Sequence, residues 1–156
     1  MVRIKHRYII AQVMLDPTAP PAAISEITAH DILSILREKI SSLYGDVGAG
    51  DFGSSVAVKY FDQSGAAAGE RCTHIFVLRC AREAEQQVRF ALCTVSSIKR
   101  TALILRTLGV SGSSRTCADK ARSTLCLAVD SWDAVSEKEK TDKKCKLLDG
   151  LKEGIE

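Results

Sequence analysis

The sequence predicts an α+β domain in which a four-stranded antiparallel sheet carries two helices on one face and a further helix follows at the C-terminus. Two observations predict this fold. The chain has 156 residues, the length of one domain. Its apolar patterns follow the order strand, helix, strand, strand, helix, strand, which is the split β-α-β order of ferredoxin-like domains. We expect residues 1–132 to form this domain and residues 133–156 to form a charged extension or tail.

The first strand is predicted over residues 8–15 by a mostly apolar run, buried on both faces in its middle. The three prolines of the chain all lie in residues 16–23, which predicts a non-helical connection. Thr28 and Asp31 then resemble a capping box, with Asp in place of the usual Glu. A helix is predicted to follow because apolar residues recur on one face, at Ile32, Leu33, Leu36, Ile40 and Leu43.

A long-looped hairpin is predicted after this helix. Gly45 is expected to end the helix, and the glycine-rich residues 45–53 are expected to form a loop. A half-buried strand is predicted from the alternating residues Val56, Val58 and Tyr60. After a polar loop over residues 61–73, residues 74–80 are predicted to form the strand that pairs with it.

A second helix and a fourth strand are predicted next. The helix is expected over about residues 82–98, with Lys99 and Arg100 at its C-terminal end, where the helix dipole favours positive charge. Its apolar face is formed by Ala84, Val88, Ala91, Leu92 and Val95. The fourth strand is expected over about residues 102–108 and is expected to break at Gly109.

A Gly/Ser turn is predicted to lead from this strand into a third helix. The turn contains Gly109 and Gly112, and Ser113 or Ser114 is positioned to cap the helix. The helix itself is predicted from an apolar stripe formed by Ala118, Ala121, Leu125, Ala128, Val129 and Trp132. Two interpretations of the turn stay open: a tight turn with a capping serine, or an anion site.

The anion-site interpretation follows from the physics of a helix N-terminus. The first helical turn leaves backbone N–H groups without intrahelical partners and carries the positive end of the helix dipole. Arg115 and Thr116 lie in or just before that turn, and Lys120 and Arg122 follow along the helix. A phosphate there would meet backbone donors, hydroxyl groups and a guanidinium.

The charge distribution is asymmetric. Residues 1–129 carry 16 Lys and Arg against 11 Asp and Glu, a net charge of +5, whereas residues 130–156 carry 6 against 8, a net charge of −2. A basic body suits a partner made of phosphates. The basic residues 3–7, Arg-Ile-Lys-His-Arg, are either a solvated terminus or a phosphate contact, and His6 is expected to be a polar contact residue.

Several function classes find little support in the sequence. The six cysteines include no C-x-x-C pair, so a zinc site is not expected, and they are interpreted as reduced, mostly buried thiols of an intracellular protein. No apolar run reaches the ~18 residues of a membrane span, and no secretory signal is expected. No G-x-S-x-G elbow or P-loop is present, and we expect no catalytic residues.

Base stacking on the sheet is not expected either. The two central strands would offer only Tyr8 and Phe76 as aromatic residues, and the aromatic signature of an RNA-recognition motif is missing. Any contact with nucleic acid should therefore be made mainly to its backbone and shape.

Three segments resemble the Pop5 family of small protein subunits of ribonuclease P and ribonuclease MRP. They are the opening Met-Val-Arg-Ile-Lys-His-Arg-Tyr, the Val-Leu-Arg-Cys at 77–80 and the Arg-Thr-Leu-Gly-Val-Ser-Gly-Ser-Ser-Arg-Thr-Cys at 106–117. The resemblance covers roughly residues 1–125. The chain departs from the family pattern in a longer Gly/Ala-rich segment at 64–70 and in a tail that is only weakly acidic.

The resemblance implies a ferredoxin-like fold and a non-catalytic subunit that binds and stabilises the RNA core. In such particles the RNA and its magnesium ions remove the 5′ leader of precursor tRNA, and the protein itself binds no cofactor. Implied partners are the catalytic RNA, precursor tRNA and the TIM-barrel-like subunit of the Rpp-thirty or Rpp-one type, without a membrane. The implied location is the nucleus, in the nucleolus. The sequence does not decide whether the chain belongs to ribonuclease P, to ribonuclease MRP, which processes ribosomal RNA, or to both.

The hypothesis for RNA contacts combines the basic N-terminal segment with the Gly/Ser turn. The residues expected to contact RNA are Arg3, Lys5, His6, Arg7, Arg106, Ser111, Gly112, Ser113, Ser114, Arg115, Thr116 and Lys120. Two alternatives remain. A small metabolic or regulatory ferredoxin-like domain would bind a phosphate ligand in the same turn, and a pure protein scaffold would not touch RNA.

Overall fold

The computed structural model describes residues 5–15, 27–62, 72–132 and 135–155. Five strands form one antiparallel sheet in the order β2-β3-β1-β5-β4. The strands are β1 (His6–Leu15), β2 (Ala57–Phe61), β3 (Ile75–Ala81), β4 (Ser97–Ile98) and β5 (Thr101–Ser111). The helices are α1 (Ala29–Gly48), α2 (Glu85–Thr94), α3 (Ser114–Asp130) and α4 (Glu137–Ile155).

The predicted α+β class and antiparallel sheet are confirmed, but two details of the fold prediction were wrong. The sheet has five strands among the described residues rather than four, because residues 97–98 form a short additional strand beside β5. The helices also do not leave one sheet face open. Helices α1 and α2 pack on one face, and α3 and α4 pack on the other.

Two hydrophobic cores lie on the two faces of the sheet, and β1 contributes to both. Ile9, Ala11 and Val13 point into the first core with α1 and α2. Ile10 points into the second core with α3 and α4. Successive strand residues face opposite sides, so a continuous apolar run is what a strand covered on both faces requires.

The second core is built from one stripe on each of two helices. The fully buried residues are Cys117, Ala121, Leu125 and Val129 on α3, with Leu147, Leu151 and Ile155 on α4. Ala118, Ala128 and Trp132 of the predicted α3 stripe are only partly buried at its margin. No helix in the described ranges is long and apolar enough to span a bilayer.

Strand β2 departs from simple alternation. The register with β3 shifts between Val58 and Tyr60. Val58 packs against the first core, whereas Tyr60 is buried in the second core beside α4. The prediction that Val56, Val58 and Tyr60 share one face was therefore wrong, because a β-bulge adds one residue and reverses the facing of those beyond it.

Helix α1 begins as predicted and continues further than predicted. The capping box is confirmed: Asp31 N donates to Thr28 Oγ1 at 3.2 Å, and Thr28 N donates to Asp31 Oδ2 at 2.8 Å. Gly45 does adopt the left-handed φ of +67° expected of a stop, but the chain then resumes as helix to Gly48 and as a π-helical turn over Ala49–Gly53. The predicted loop over 45–53 is thus helical.

Helix α2 is shorter than predicted. It ends at Thr94, and Val95 is already extended. Val95 and Ile98 are both buried, and their spacing of three residues fits one face of a helix. The same spacing also buries both side chains when the chain leaves the helix and enters β4, which is why the pattern did not show where α2 ends. Lys99 and Arg100 therefore do not end a helix. They form the two-residue turn between β4 and β5, with φ of +47° and +67°.

Strand β5 continues through the glycine that was expected to end it. Gly109 pairs with Ile10 on β1, and a bulge between Ile10 and Ala11 leaves Leu108 as an extra residue on β5. The strand ends only at Ser111, immediately before α3. The predicted break at Gly109 was wrong because a glycine is tolerated in a strand next to a bulge.

Two glycines of α4 give a matched test of how this helix packs. A Cβ at Gly154 would collide with the backbone carbonyl oxygen of Lys59, whereas a Cβ at Gly150 would lie 3.6 Å from the Tyr60 ring, an ordinary contact. Gly150→Ala should raise the free energy of unfolding by up to about 1 kcal/mol through helix propensity. Gly154→Ala should lower it by about 1–3 kcal/mol because α4 must shift. Urea denaturation of both variants would measure this, and equal effects would contradict the packing.

The α1 cap predicts a pH dependence. Burial alone would raise the pKa of Asp31, but hydrogen bonds from Lys99 and Thr28 outweigh it and lower the pKa to about 2. A lowered pKa stabilises the fold above the unfolded value near 4, and this contribution is lost as the pH falls towards 2. Asp31→Asn should therefore have a lower free energy of unfolding than the unsubstituted protein at pH 6, and the difference between the two proteins should be smaller at pH 2. Asp51→Asn is the control, and a difference unchanged with pH would contradict this.

Candidate nucleic-acid interface

The turn between β5 and α3 is capped by a serine. The Ser113 side chain accepts a hydrogen bond from Thr116 N at 3.2 Å, and the Thr116 hydroxyl lies 2.8 Å from Ser113 Oγ. Ser113 is thus the N-cap, one of the two serines predicted. The cap takes up only one of the N–H groups that a helix start leaves without intrahelical partners. Capping and anion binding are therefore compatible at this turn.

Arg7 connects the N-terminal strand to this turn. A Cβ built on Gly112 would lie 2.6 Å from Arg7 Nη1 and 3.7 Å from Arg7 Cζ. The guanidinium therefore lies directly against the glycine, and no larger residue fits there without moving it. Two segments that are a hundred residues apart in sequence meet at this point and carry a cation beside the positive end of α3.

Strand pairing explains why they meet. Tyr8 is paired with Ser111 on β5 and with Arg79 on β3, so the start of β1 lies between the ends of its two neighbours. Lys5, which is exposed, accepts a hydrogen bond on its carbonyl from Arg82 N at 2.9 Å. We call this end of the sheet, with Lys5, His6, Arg7, Arg79, Arg82 and residues 111–116, the basic corner.

Three buried polar atoms of the basic corner have no hydrogen-bond partner. They are His6 Nδ1, Arg79 Nε and Ser111 Oγ. Arg79 and Ser111 both pair with Tyr8, and His6 precedes it by two residues, so all three share the sheet face over which α3 begins. Buried polar atoms are rarely left without partners, and such a cluster is typical of a site that a ligand or bound water completes.

Of the predicted contact residues, Lys5 is exposed, and His6, Arg7 and Ser114 are partly exposed. The other predicted contact residues fall into three groups. Gly112, Ser113, Arg115, Thr116 and Lys120 are exposed and lie together on the turn and the start of α3. Ser111 is only 5 % exposed, so its side chain lies below this surface. Arg106 is exposed on β5 opposite Gln12, away from the turn, and Arg3 lies outside the described residues.

Sequence reasoning missed Arg79 and Arg82. Arg79 was visible as the third residue of Val-Leu-Arg-Cys at 77–80, a segment noted only as a resemblance, and Arg82 follows three residues later. The missing information was the pairing of β3 with β1, which brings both arginines to the same end of the sheet as Arg7.

Lys120 links α3 to the sheet. Its Nζ donates to the backbone oxygen of Val110 at 3.2 Å. An ammonium has three N–H groups, so two remain available for another acceptor. Lys120 lies four residues beyond Thr116, or about 6 Å along the helix axis. The positive surface therefore extends from the basic corner along α3.

The cysteines are not arranged for chemistry. The six cysteines, all in the described ranges, form no disulfide with one another. Cys80 and Cys117 are buried, Cys72 and Cys126 are intermediate, and Cys93 and Cys145 are exposed. They are therefore less buried than predicted. Burial raises the pKa of the Cys80 and Cys117 thiols to about 11, so both are protonated at neutral pH and poor nucleophiles. Within the described part of the chain, no three His, Cys, Asp or Glu side chains group to hold a metal ion.

The fold and the site define a class: an α+β domain covered by helices on both sheet faces, with a donor-rich basic corner that suits an anionic ligand. The particular family follows from comparison with known proteins. The family model described as Rpp14/Pop5 matches residues 7–122, so the chain belongs to the Rpp14/Pop5 family. This confirms the family to which the sequence motifs pointed.

Proteins similar to this chain include ribonuclease P/MRP subunits of eukaryotes. The chain is 30% identical over 124 residues to the probable ribonuclease P/MRP protein subunit POP5 of Arabidopsis thaliana, covering 78% of this chain and 77% of the relative. It is 31% identical over 120 residues to the ribonuclease P/MRP protein subunit POP5 of Schizosaccharomyces pombe, covering 72% and 79%. A chain of the cryo-EM structure of yeast ribonuclease MRP shares the fold, with a TM-score of 0.50, 15% identity and coverage of 93% and 98%.

The cap can be tested without any ligand. Ser113→Ala should lower the free energy of unfolding by about 1 kcal/mol, because Thr116 N loses its acceptor at the exposed start of α3. Ser114→Ala is the matched control, since the neighbouring serine is the first residue of the helix and not its cap. Thermal unfolding monitored by circular dichroism would measure both, and a larger loss for Ser114→Ala would show that the cap is misassigned.

Proposed function

We propose that this chain is a non-catalytic protein subunit of a ribonuclease P or ribonuclease MRP particle and that its basic corner binds RNA phosphates. The names of its relatives support the particle, since they are ribonuclease P/MRP subunits. The observation that supports the RNA contact is the position of Arg7 against Gly112, beside the N-terminus of α3. A phosphate held there would meet a guanidinium, hydroxyl groups and backbone N–H groups at once.

The proposed contact is to the RNA backbone rather than to bases stacked on the sheet. Phe76, one of the two aromatic residues on the central strands, is fully buried in the first core. Tyr8, the other, is partly buried against the second core. Helices α3 and α4 occupy the face that a stacking sheet would leave open, which favours a contact at the rim of the fold.

The proposed role in the particle is accessory. In this proposal the RNA and its magnesium ions cleave the 5′ leader of precursor tRNA, and the protein stabilises the RNA core near that site. The proposed neighbours are the catalytic RNA, precursor tRNA and a TIM-barrel-like subunit, and the proposed location is nuclear, in the nucleolus. The buried, protonated thiols of Cys80 and Cys117 are consistent with an accessory role for this chain.

Salt dependence tests the phosphate contacts. Each phosphate neutralised in single-stranded or irregular RNA contributes about −0.7 to the slope of log K against log salt. With about four contacts, raising salt from 50 to 200 mM should weaken binding by somewhat under a hundredfold. Arg115→Ala should reduce the slope by about 0.7. The measurement is a titration of the full-length protein with the ribonuclease P RNA of its own organism.

The matched control for this test is Arg89→Ala. Arg89 is an exposed arginine on α2, on the opposite side of the sheet, where it pairs with Glu85 at 3.1 Å. The control should leave both affinity and slope unchanged. If Arg115→Ala behaves like the control, the phosphate assignment is wrong. If a sugar phosphate or nucleotide competes at micromolar concentration, the metabolite-binding alternative gains support instead.

A further inference from the structure

We propose that the groove between α3 and the sheet, next to the basic corner, binds one unstacked RNA base that carries an amino group. This inference rests on the proposed RNA-binding function and adds base selection to it. The groove has a volume of about 440 Å³. Its lining residues are Ile10, Leu108, Gly109, Asp119, Lys120, Ser123 and Thr124.

The floor of the groove suits a planar ring. The partly buried Leu108 supplies the apolar surface, and Gly109 next to it has no side chain. Ile10, which also lines the groove, is only 1 % exposed. A Cβ at Gly109 would have no atom within 4 Å, so the space above the glycine is open. The bulge that leaves Leu108 as an extra residue on β5 places the glycine at this point. A flat apolar floor with an open centre can receive a base whose faces are apolar and whose edge is polar.

The wall of the groove combines three oxygen acceptors on α3 with one donor group, the Lys120 ammonium, whose Nζ lies against Val110 O. The Ser123 hydroxyl donates to the backbone oxygen of Asp119 at 3.1 Å, and the Thr124 hydroxyl donates to that of Lys120 at 2.8 Å. Because both hydroxyl hydrogens are committed to the helix, their oxygens can only accept from a ligand. The Asp119 carboxylate also only accepts.

This wall selects between bases. Adenine, cytosine and guanine each present an exocyclic amino group that donates, whereas the carbonyl at the corresponding position of a pyrimidine such as thymine or uracil accepts. An acceptor-rich wall therefore favours an amino-bearing base over uracil. A carboxylate would repel a phosphate, so Asp119 on an otherwise basic surface is explained by contact with a base edge rather than with the RNA backbone.

The groove and the basic corner are placed for one continuous strand. Lys120 lines the groove, and its Nζ lies against Val110 O next to the turn, so it can also meet a phosphate. The neighbouring ion pair of Asp119 with Arg122 is long, at 3.9 Å, and both side chains are exposed, which leaves the carboxylate accessible. The four-residue spacing from Thr116 to Lys120, about 6 Å along the helix axis, is within the reach of a single nucleotide.

The test compares short RNAs that differ only in their base. The full-length protein should bind labelled oligoadenylate or oligocytidylate about tenfold more tightly than oligouridylate of the same length at fixed salt. Asp119→Asn should reduce that ratio to about one, because an amide can also donate to the uracil carbonyl. Asp142→Asn, at an exposed carboxylate of α4, is the control and should keep the ratio.

A second variant tests the groove by filling it. Gly109→Leu should weaken binding of every oligonucleotide about tenfold while the salt slope stays the same. Gly50→Leu is the matched control, since a Cβ at Gly50 also meets nothing within 4 Å but lies outside the groove. Circular dichroism of both variants would show that each is folded.

The outcomes separate this inference from the proposed function. If Arg115→Ala lowers the salt slope while Asp119→Asn and Gly109→Leu leave base preference and affinity unchanged, the groove assignment is overturned and the phosphate contact stands. If Gly109→Leu prevents association with another protein of the particle and leaves RNA binding intact, the groove is a protein-docking surface and the assignment is overturned. If no RNA binds at all, both proposals fail.

Discussion

The structure depends on the central position of β1. Its backbone hydrogen-bonds to β3 on one side and β5 on the other, and its side chains enter both hydrophobic cores. A strand in this position must be apolar on both faces, or one layer of helices would have nothing to pack against. That requirement accounts for the continuous apolar run through Ile9, Ile10 and Ala11. The polar residues at the start of the strand must therefore lie outside the two cores. Residues 6–8 lie at the end of the sheet, where they pair with the last residues of β3.

The basic corner follows from this placement. Strand pairing aligns the start of β1 with the end of β3 and the end of β5, so basic residues that are distant in sequence converge there. The guanidinium of Arg7 lies where a Cβ on Gly112 would stand, so the start of β1 and the turn before α3 are in contact. Helix α3 begins at the same point, and the serine cap orders its first turn without using all of its donors. The positive charge of the basic corner thus results from the register in which the three strands pair.

Sequence patterns predicted the elements more reliably than their ends. The capping box at Thr28 and the antiparallel sheet could be predicted because they depend on local chemistry and on apolar periodicity. Three other features could not be predicted, because each depends on a bulge or on a pairing partner: the sheet face on which Tyr60 lies, the continuation of β5 through Gly109, and the turn at Lys99 and Arg100. In the candidate site, Arg7 was predicted from the basic segment 3–7, and Arg115 was predicted from its place in the first turn of a helix after a Gly/Ser turn. Arg79 and Arg82 required knowledge of which strands are neighbours.

The two helices that cover the second sheet face also decide how the chain can meet a polynucleotide. With α3 and α4 packed over Ile10, Ile75 and Val77, bases cannot stack across the middle of the sheet. In the binding mode that we propose, RNA instead follows the strip along the start of α3, between the basic corner and the groove at Gly109. Along that strip the chemistry changes from cationic donors to acceptors within about one helical turn. A strand of RNA has the matching order, with an anionic backbone and amino-bearing base edges, so a single segment can satisfy both parts of the surface at once.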